Sequence, residues 1–268
     1  MYQKRAPGEQ IADIIIYLIL GIVALITLFP ITNKYIPENF SLGAYQYIFS
    51  TNTFVRSIGV SVYITVVGTL VSMLLTSFMA YALSCKQLRG RSLILFLVVF
   101  TMMFNGGMIP TFLVVKGTGL FNSLWSLIIP NAISAYNMIL MKNYFQELPE
   151  ELKESARIDG CHEVRIVFQI ILPISLPIMA TIGLFYAVSK WNIFMEALLY
   201  INKNQLWPVQ VLLRNIIFVL TGGLGDAGAE IYKMSFSDES MKAAVIVVSS
   251  LPIVIVYPFL QKYCTKGL

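Results

Sequence analysis

The sequence predicts an all-α membrane protein: six transmembrane helices with a helix-turn-helix projection on the cytoplasmic side. Three observations carry this. Of the 268 residues, 57% are hydrophobic and 12% charged, and mean hydropathy is +0.74, whereas charged residues approach a quarter of an ordinary soluble domain. The apolar residues gather into runs of about 20, the length that carries a helix across a bilayer core. One stretch breaks the pattern: residues 154–173, ESARIDGCHEVRIVFQIILP, start polar, break at Asp159-Gly160, and end apolar at a proline. Six of the chain's fourteen acids, Glu147, Glu150, Glu151, Glu154, Asp159 and Glu163, lie in it or just before it.

The spans fall at about 11–32, 57–83, 92–115, 123–141, 174–200 and 241–260, and the chain reads as one polytopic domain over 1–268. The first has Asp13 as its only charge. It is too long, and too poorly followed by a small-residue cleavage site, for a removable signal peptide, and is expected to stay as a span. The third is interrupted by Asn105-Gly106-Gly107 and Pro110, and the fourth carries Pro130, Asn131 and Asn137. The fifth contains Pro177, Lys190 and Glu196, and the last Pro252 and Pro258. Membrane helices tolerate such breakers because neighbouring groups satisfy the freed carbonyls.

Loop charges set the orientation. With the N-terminus inside, the cytoplasmic segments hold eleven basic residues against seven outside. The short loop SCKQLRGR at 84–91, with Lys86, Arg89 and Arg91 and no acid, weighs most. Both termini and the 154–173 stretch are therefore expected in the cytoplasm. Cys85, Cys161 and Cys264 fall on that reducing side with no metal-site spacing, as three unpaired thiols. The net charge of +5 comes from basic residues scattered among apolar segments, so helix-end anchoring explains it and nucleic acid is not an expected partner.

Within the polar stretch, Leu148, Leu152 and Ala156 form one apolar edge of a short helix starting near Pro149. Asp159-Gly160 ends it. A second helix has Val164, Val167, Phe168 and Ile171 on one face and Glu163, Arg165 and Gln169 on the other, before Pro173 and Pro177 open the fifth span. Such a projection suits a groove on a soluble partner, or else an amphipathic linker on the membrane surface.

Catalysis finds little support. The single histidine, His162, reads as an exposed loop residue, and no Gly-Lys dipeptide, hence no phosphate-cradling GxxxxGK[ST] loop, and no GxSxG occur. Lys190 and Glu196 are the charges at membrane depth. Six residues apart, they do not form a helical ion pair. With Trp191 and Asn192 they read either as a polar lining of a translocation path or as charges snorkelling outward from the end of the fifth span. Asn105, Asn131 and Asn137 either line such a path or bond to neighbouring helices. Outside, Leu206-Trp207-Pro208-Val209 opens an apolar run to Leu220, suited to an interfacial helix. The glycines Gly222, Gly223, Gly225 and Gly228 follow as a mobile loop.

The spacing Glu154, Ala156, Gly160, Ile170, Leu172, Pro173 resembles the EAA---G---------I-LP signature of permease subunits from binding-protein-dependent ABC importers. Ser155 stands where the signature has its first alanine, and Arg157, Asp159 and Phe168 fall within the matching stretch. The run NGGMIPTFLVVKGTGLFNSLWSLIIPNAI, the Trp191-Asn192 pair and LWPVQVLL resemble the carbohydrate-uptake, maltose-type branch, and within it the permeases for complex oligosaccharides. The resemblance covers nearly the whole chain. It implies that Glu154, Ser155, Ala156, Arg157, Asp159 and Gly160 form a coupling helix seated in an ATPase subunit, inside a loop spanning about 145–173. It further implies a second, non-identical permease, two ATPase subunits that carry ATP and Mg, a solute-binding protein outside, and an oligosaccharide substrate. No cofactor is implied on this chain, and its place is the bacterial plasma (inner) membrane. The reading from another class is a self-contained secondary transporter or channel, whose ion site would have to use Lys190 and Glu196.

Overall fold

The computed structural model describes residues 52–220, 244, 246–250 and 252, and within them the structure is helical. The expected first span, the glycine loop and nearly all of the sixth span lie outside the described residues. Helix α1, Asn52–Ser84, is 33 residues long, about 50 Å at 1.5 Å per residue, well beyond a hydrocarbon core of about 30 Å. Its side chains are sorted in the reverse of a soluble helix. Ser57, Ser61, Gly68, Ser72 and Thr76 are buried, while Val62, Val66, Leu70 and Leu74 are exposed, Leu70 at 60%. Small residues bring helix backbones close and large aliphatic ones face lipid, the arrangement a bilayer favours.

The elements that follow are short and broken. Helices α2, Arg91–Met103, and α3, Met108–Gly117, meet at 120°. The break has a local cause: the Asn105 Oδ1 accepts from the Gly107 N–H at 2.9 Å, and Gly107 takes φ +88, which favours glycine. The expected fourth span, 123–141, is divided. Helix α4 is the single turn Trp125–Ile128, and α5, Ala135–Glu147, starts afresh with Ser134 as N-cap. Pro130 lies in the gap, where a helix would lack its donor.

Helix α6, Glu150–Ile158, and α7, Glu163–Ile174, flank Gly160. Helix α8, Leu176–Trp191, leaves α7 at 90° just after Pro173, with Pro177 in its own first turn. The expected fifth span, 174–200, stops at Trp191 and resumes as α9, Met195–Tyr200. A 3₁₀ turn at Asn204–Leu206 leads to α10, Val209–Leu220. Helix α10, expected at an interface, buries Val209, Leu212 and Ile216 against Phe54 and Trp191.

Helix α1 is the mast of the fold, packing most extensively on α8 and α5. Among the described residues, only α1 is long and apolar enough to cross a membrane alone; there are up to three spans if the bent pairs α2–α3 and α7–α8 each count as one. The hydroxyl of Tyr186 on α8 joins three elements, bonding Thr76 Oγ1 of α1 at 2.7 Å and accepting the Ser134 N–H at 2.9 Å. It satisfies a backbone donor exposed by the break before α5.

Candidate functional site

The elbow between α6 and α7 is built by its glycine. Gly160 adopts φ +76. Its N–H donates to Arg157 O at 3.0 Å, and the Cys161 N–H donates to Ala156 O at 2.9 Å. This pair of bonds is the Schellman arrangement that ends helices at a left-handed residue. It turns the chain so that α7 starts beside the end of α6.

Three charged or polar groups then close the elbow against α1. Arg157 Nε donates to Glu163 Oε1 at 2.8 Å across the turn, and the Tyr81 hydroxyl donates to Glu163 Oε2. The hydrogen bond from Arg157 holds the Glu163 carboxyl below the ordinary glutamate range, partial burial opposes this, and the Tyr81 bond adds to the lowering. Lys153 is buried, its ammonium donating to Phe145 O at 3.2 Å and lying 5.8 Å from the centre of the Tyr81 ring. Beneath these, Ala156, Ile166, Val167 and Ile171 join Tyr81, Leu83 and Phe145 in one apolar cluster. The elbow is thus closed on itself by the Arg157 bond and fixed to the end of α1 by packing and by the Tyr81 bond to the same carboxylate.

Two faces expected from periodicity are corrected here. On α6, Leu152 is 39% exposed and Lys153 takes the inward place beside Ala156. The long methylene stem lets a lysine do this while its head finds an acceptor. On α7, Val164 and Phe168 are exposed, and Ile166 is inward with Val167 and Ile171. A π-turn at Val167–Ile171 widens the helix and shifts the face that a regular 3.6-residue period would bury. Phe168 instead packs edge-on against Phe78 of α1, with ring centroids 5.6 Å apart.

The outward face of α6 carries Glu151, Glu154, Ser155 and Ile158, at helical spacings of three and four, all exposed. Ile158 is 86% exposed, a lone large aliphatic among acids. Asp159 is exposed at the C-cap. Of the six coupling residues expected, Glu154, Ser155, Asp159 and Gly160 therefore stand on the outside, Ala156 inside, and Arg157 in the clasp. Sequence reasoning missed Tyr81 because Glu163 is remote in the chain, and Lys153 because a lysine in a polar helix gives no sign that it will turn inward. Ile158 was missed as well, although its place off the Leu148-Leu152-Ala156 edge is a signal the sequence carries.

The second group of expected site residues is dispersed. Lys190 is 3% exposed, and its ammonium donates to Leu127 O at 3.1 Å and to Ile128 O and Asn131 O at 3.3 Å. It thereby caps the C-terminal carbonyls of α4, where a cation is favoured. Its stem crosses Gly68 of α1, where a Cβ would lie 3.2 Å from Lys190 Cδ. Trp191 is buried with its indole N–H on Ser249 O at 3.1 Å. Asn192 and Glu196 reach outward: Asn131 Nδ2 donates to Glu196 Oε1, and Gln210 Nε2 to Asn192 Oδ1, each at 3.4 Å. The side-chain hydrogen bond of Asn105 stays within its own turn, and Asn137 is buried in α5. The glycines Gly222, Gly223, Gly225 and Gly228 lie outside the described residues.

A broken-helix membrane chain carrying a clasped, outward-facing elbow is the architecture of a transporter subunit, and comparison agrees. Residues 85–268 match the family model described as "Binding-protein-dependent transport system inner membrane component". The chain belongs to that family: it is a permease-type, non-catalytic subunit of an ABC-type carbohydrate importer, a system of permease, ATPase and solute-binding protein. Among its relatives is the polygalacturonan/rhamnogalacturonan transport system permease protein YtcP of Bacillus subtilis, 50% identical over 97% of this chain and 96% of that protein. Protein LplC of the same organism is 51% identical over 87% of this chain and 78% of its own length. A solved bacterial ABC transporter involved in the import of the acidic polysaccharide alginate contains a chain that superposes with TM-score 0.86 at 32% identity, covering 98% of this chain and 99% of that one.

Proposed function

We propose that the α6–α7 elbow is the element through which a separate ATPase drives this permease. The observation that carries the reading is the two-sidedness of α6: Glu151, Glu154, Ser155 and Ile158 face out for a partner, while Arg157 and Ala156 tie the helix to α1 through Glu163 and the apolar cluster. Force applied to the outer face is passed to α1, the mast of the fold. Closure of two ATPase subunits around ATP and Mg pulls two such elbows together, and the pore rocks between inward-open and outward-open as rigid bodies.

In this reading the chain has six spans with both termini and the 145–173 loop in the cytoplasm of a bacterium. It belongs to the maltose-type branch and forms half of a pore with a non-identical permease in the plasma (inner) membrane. The loop around Gly222, Gly223, Gly225 and Gly228 meets the solute-binding protein outside. The substrate is an oligosaccharide, and the galacturonan and alginate of the relatives' names favour an acidic one. Asn131, Asn192, Glu196 and Gln210 offer the amide and carboxylate groups that sugar hydroxyls need, and Arg214, stacked over the Phe194 ring at 4.7 Å, offers a cation. Lys190 is the strut behind this patch.

The test is Glu154→Lys or Gly160→Pro in proteoliposomes with the cognate ATPase and binding protein. Both are expected to abolish stimulated ATP hydrolysis and uptake while the protein still inserts. Stimulation equal to wild type in both would refute the assignment. Deleting 222–228 is expected to weaken stimulation by the binding protein and spare basal hydrolysis.

A further inference from the structure

A second feature at the same end of α1 is not used by the elbow's clasp. A cleft of about 40 Å³ opens between the C-terminus of α1, the end of α5 and the start of α6, a few times the room one water molecule requires. Its lining includes three cations, Lys86, Lys153 and Arg157, the amides of Gln87 and Gln146, and one carboxylate, Glu150.

The cations are incompletely answered. Arg157 is committed to Glu163. Glu150 sits in the first turn of α6, where the helix dipole already stabilises its charge. Lys153 is 7% exposed, and its hydrogen bond to Phe145 O uses one of the three protons an ammonium can donate. Lys86 stands exposed at the mouth. The surrounding loop adds Arg89 and Arg91, and partial burial, with the nearby Arg91 adding to it, holds the Lys142 ammonium below the usual lysine range. Among the described residues, Arg157–Glu163 is the ion pair found on this face. Glu163 acts on Lys153 through space and Glu150 shares the lining, but among the described residues neither Lys153 nor Lys86 has a carboxylate at ion-pair distance. An anion that enters the cleft therefore meets cations without a direct partner.

Depth points to the class of ligand. The cleft lies at the C-terminal end of a 33-residue apolar helix longer than the hydrocarbon core, so the helix reaches past the apolar slab toward headgroups and water. Basic clefts between helices at that level take the phosphates of anionic lipids.

We propose that this cleft binds a phosphate group, presented by an anionic phospholipid headgroup or as free phosphate, with Lys153 and Lys86 as its cations and Gln146 as a neutral donor. An occupant there bridges α1, α5 and α6 and stiffens the root of the elbow. The site stands on the cleft alone and does not require the coupling role of the elbow.

The experiment is thermal unfolding of the full-length protein in neutral detergent, titrated in separate arms with dihexanoyl-phosphatidylglycerol, inorganic phosphate and dihexanoyl-phosphatidylcholine. A ligand that binds the native state raises the transition temperature saturably. Phosphatidylglycerol is expected to do so. If inorganic phosphate does the same at similar concentration, free phosphate is the source; if it does not, the lipid is. Lys86→Gln, an exposed position that leaves folding intact, is expected to weaken binding roughly tenfold through loss of one charge-assisted contact. Lys203→Gln, an equal charge change elsewhere on the surface, is expected to leave it unchanged. The proposal is overturned if phosphatidylcholine stabilises as well as phosphatidylglycerol, if neither anion raises the transition, or if Lys86→Gln matches wild type or Lys203→Gln.

Discussion

Arg157 and Glu163, the last basic residue of α6 and the first residue of α7, meet at 2.8 Å across the Gly160 turn, and the same carboxylate holds Tyr81 of α1. One carboxylate therefore joins both arms of the elbow to α1. The pair is partly open to water, with side chains 37% and 54% exposed. Its direct coupling in a double-mutant cycle of Arg157→Gln and Glu163→Gln is expected to be about 1 kcal/mol or less. A coupling several times larger would mean that the pair is dry in the assembled transporter.

Removing the clasp should separate energy supply from transport. With Tyr81→Phe or Glu163→Gln, reconstituted transporter is expected to keep basal ATP hydrolysis while stimulation by binding protein falls several-fold, because the elbow can then tilt without pulling α1. Full stimulation in both variants would show that apolar packing alone carries the motion.

The pH dependence follows from the lowered Glu163 pKa. A carboxyl whose folded pKa is depressed contributes stability that is complete above the unfolded range, near about 4.3, and is lost as pH falls through the lower folded value. Glu163→Gln is therefore expected to flatten the acid-side slope of the melting profile and leave the neutral-pH slope untouched. Melting curves from pH 3 to 8 check this.

Gly160 holds φ +76 with open space where a Cβ would stand. The penalty for alanine is therefore conformational, about 1–2 kcal/mol. Asparagine, which tolerates the left-handed region better, is expected to lose less. Equal melting temperatures for Gly160→Ala and wild type would refute the strained turn.

Lys190 spans α8, α4 and α1. Lys190→Met keeps the stem but strips the ammonium from three carbonyls, with an expected loss of about 1–3 kcal/mol from buried acceptors left unpaired. Gly68→Val presses on the stem from the other side and is expected to cost about 1–3 kcal/mol as overpacking. Because both act on one contact, the double variant should be less than additive, measured by unfolding in detergent.

Some of this was readable from the residues alone. The apolar length of α1 and the break at Gly160 follow from local chemistry: run length sets a helix against a bilayer, and glycine relieves a backbone angle whatever surrounds it. The signature spacing from Glu154 to Pro173 likewise marks the elbow without any coordinates. Other features depended on parts of the chain far apart in sequence. Tyr81 reaches Glu163 over 82 positions and Lys190 reaches Leu127 O over 63, so neither pairing has a periodic trace. The π-turn at Val167–Ile171 moved the buried face of α7 off its expected register. Lys190 read as a charge at membrane depth with two fates, and neither was the one observed. Tertiary packing offered it three carbonyls freed by the break after α4, and an ammonium removed from water takes the nearest acceptors. Sequence determined the apolar length of α1 and where the elbow turns. Only the folded arrangement decided which charges are spent inside and which remain for a partner, because that choice rests on desolvation, and desolvation is a property of neighbours.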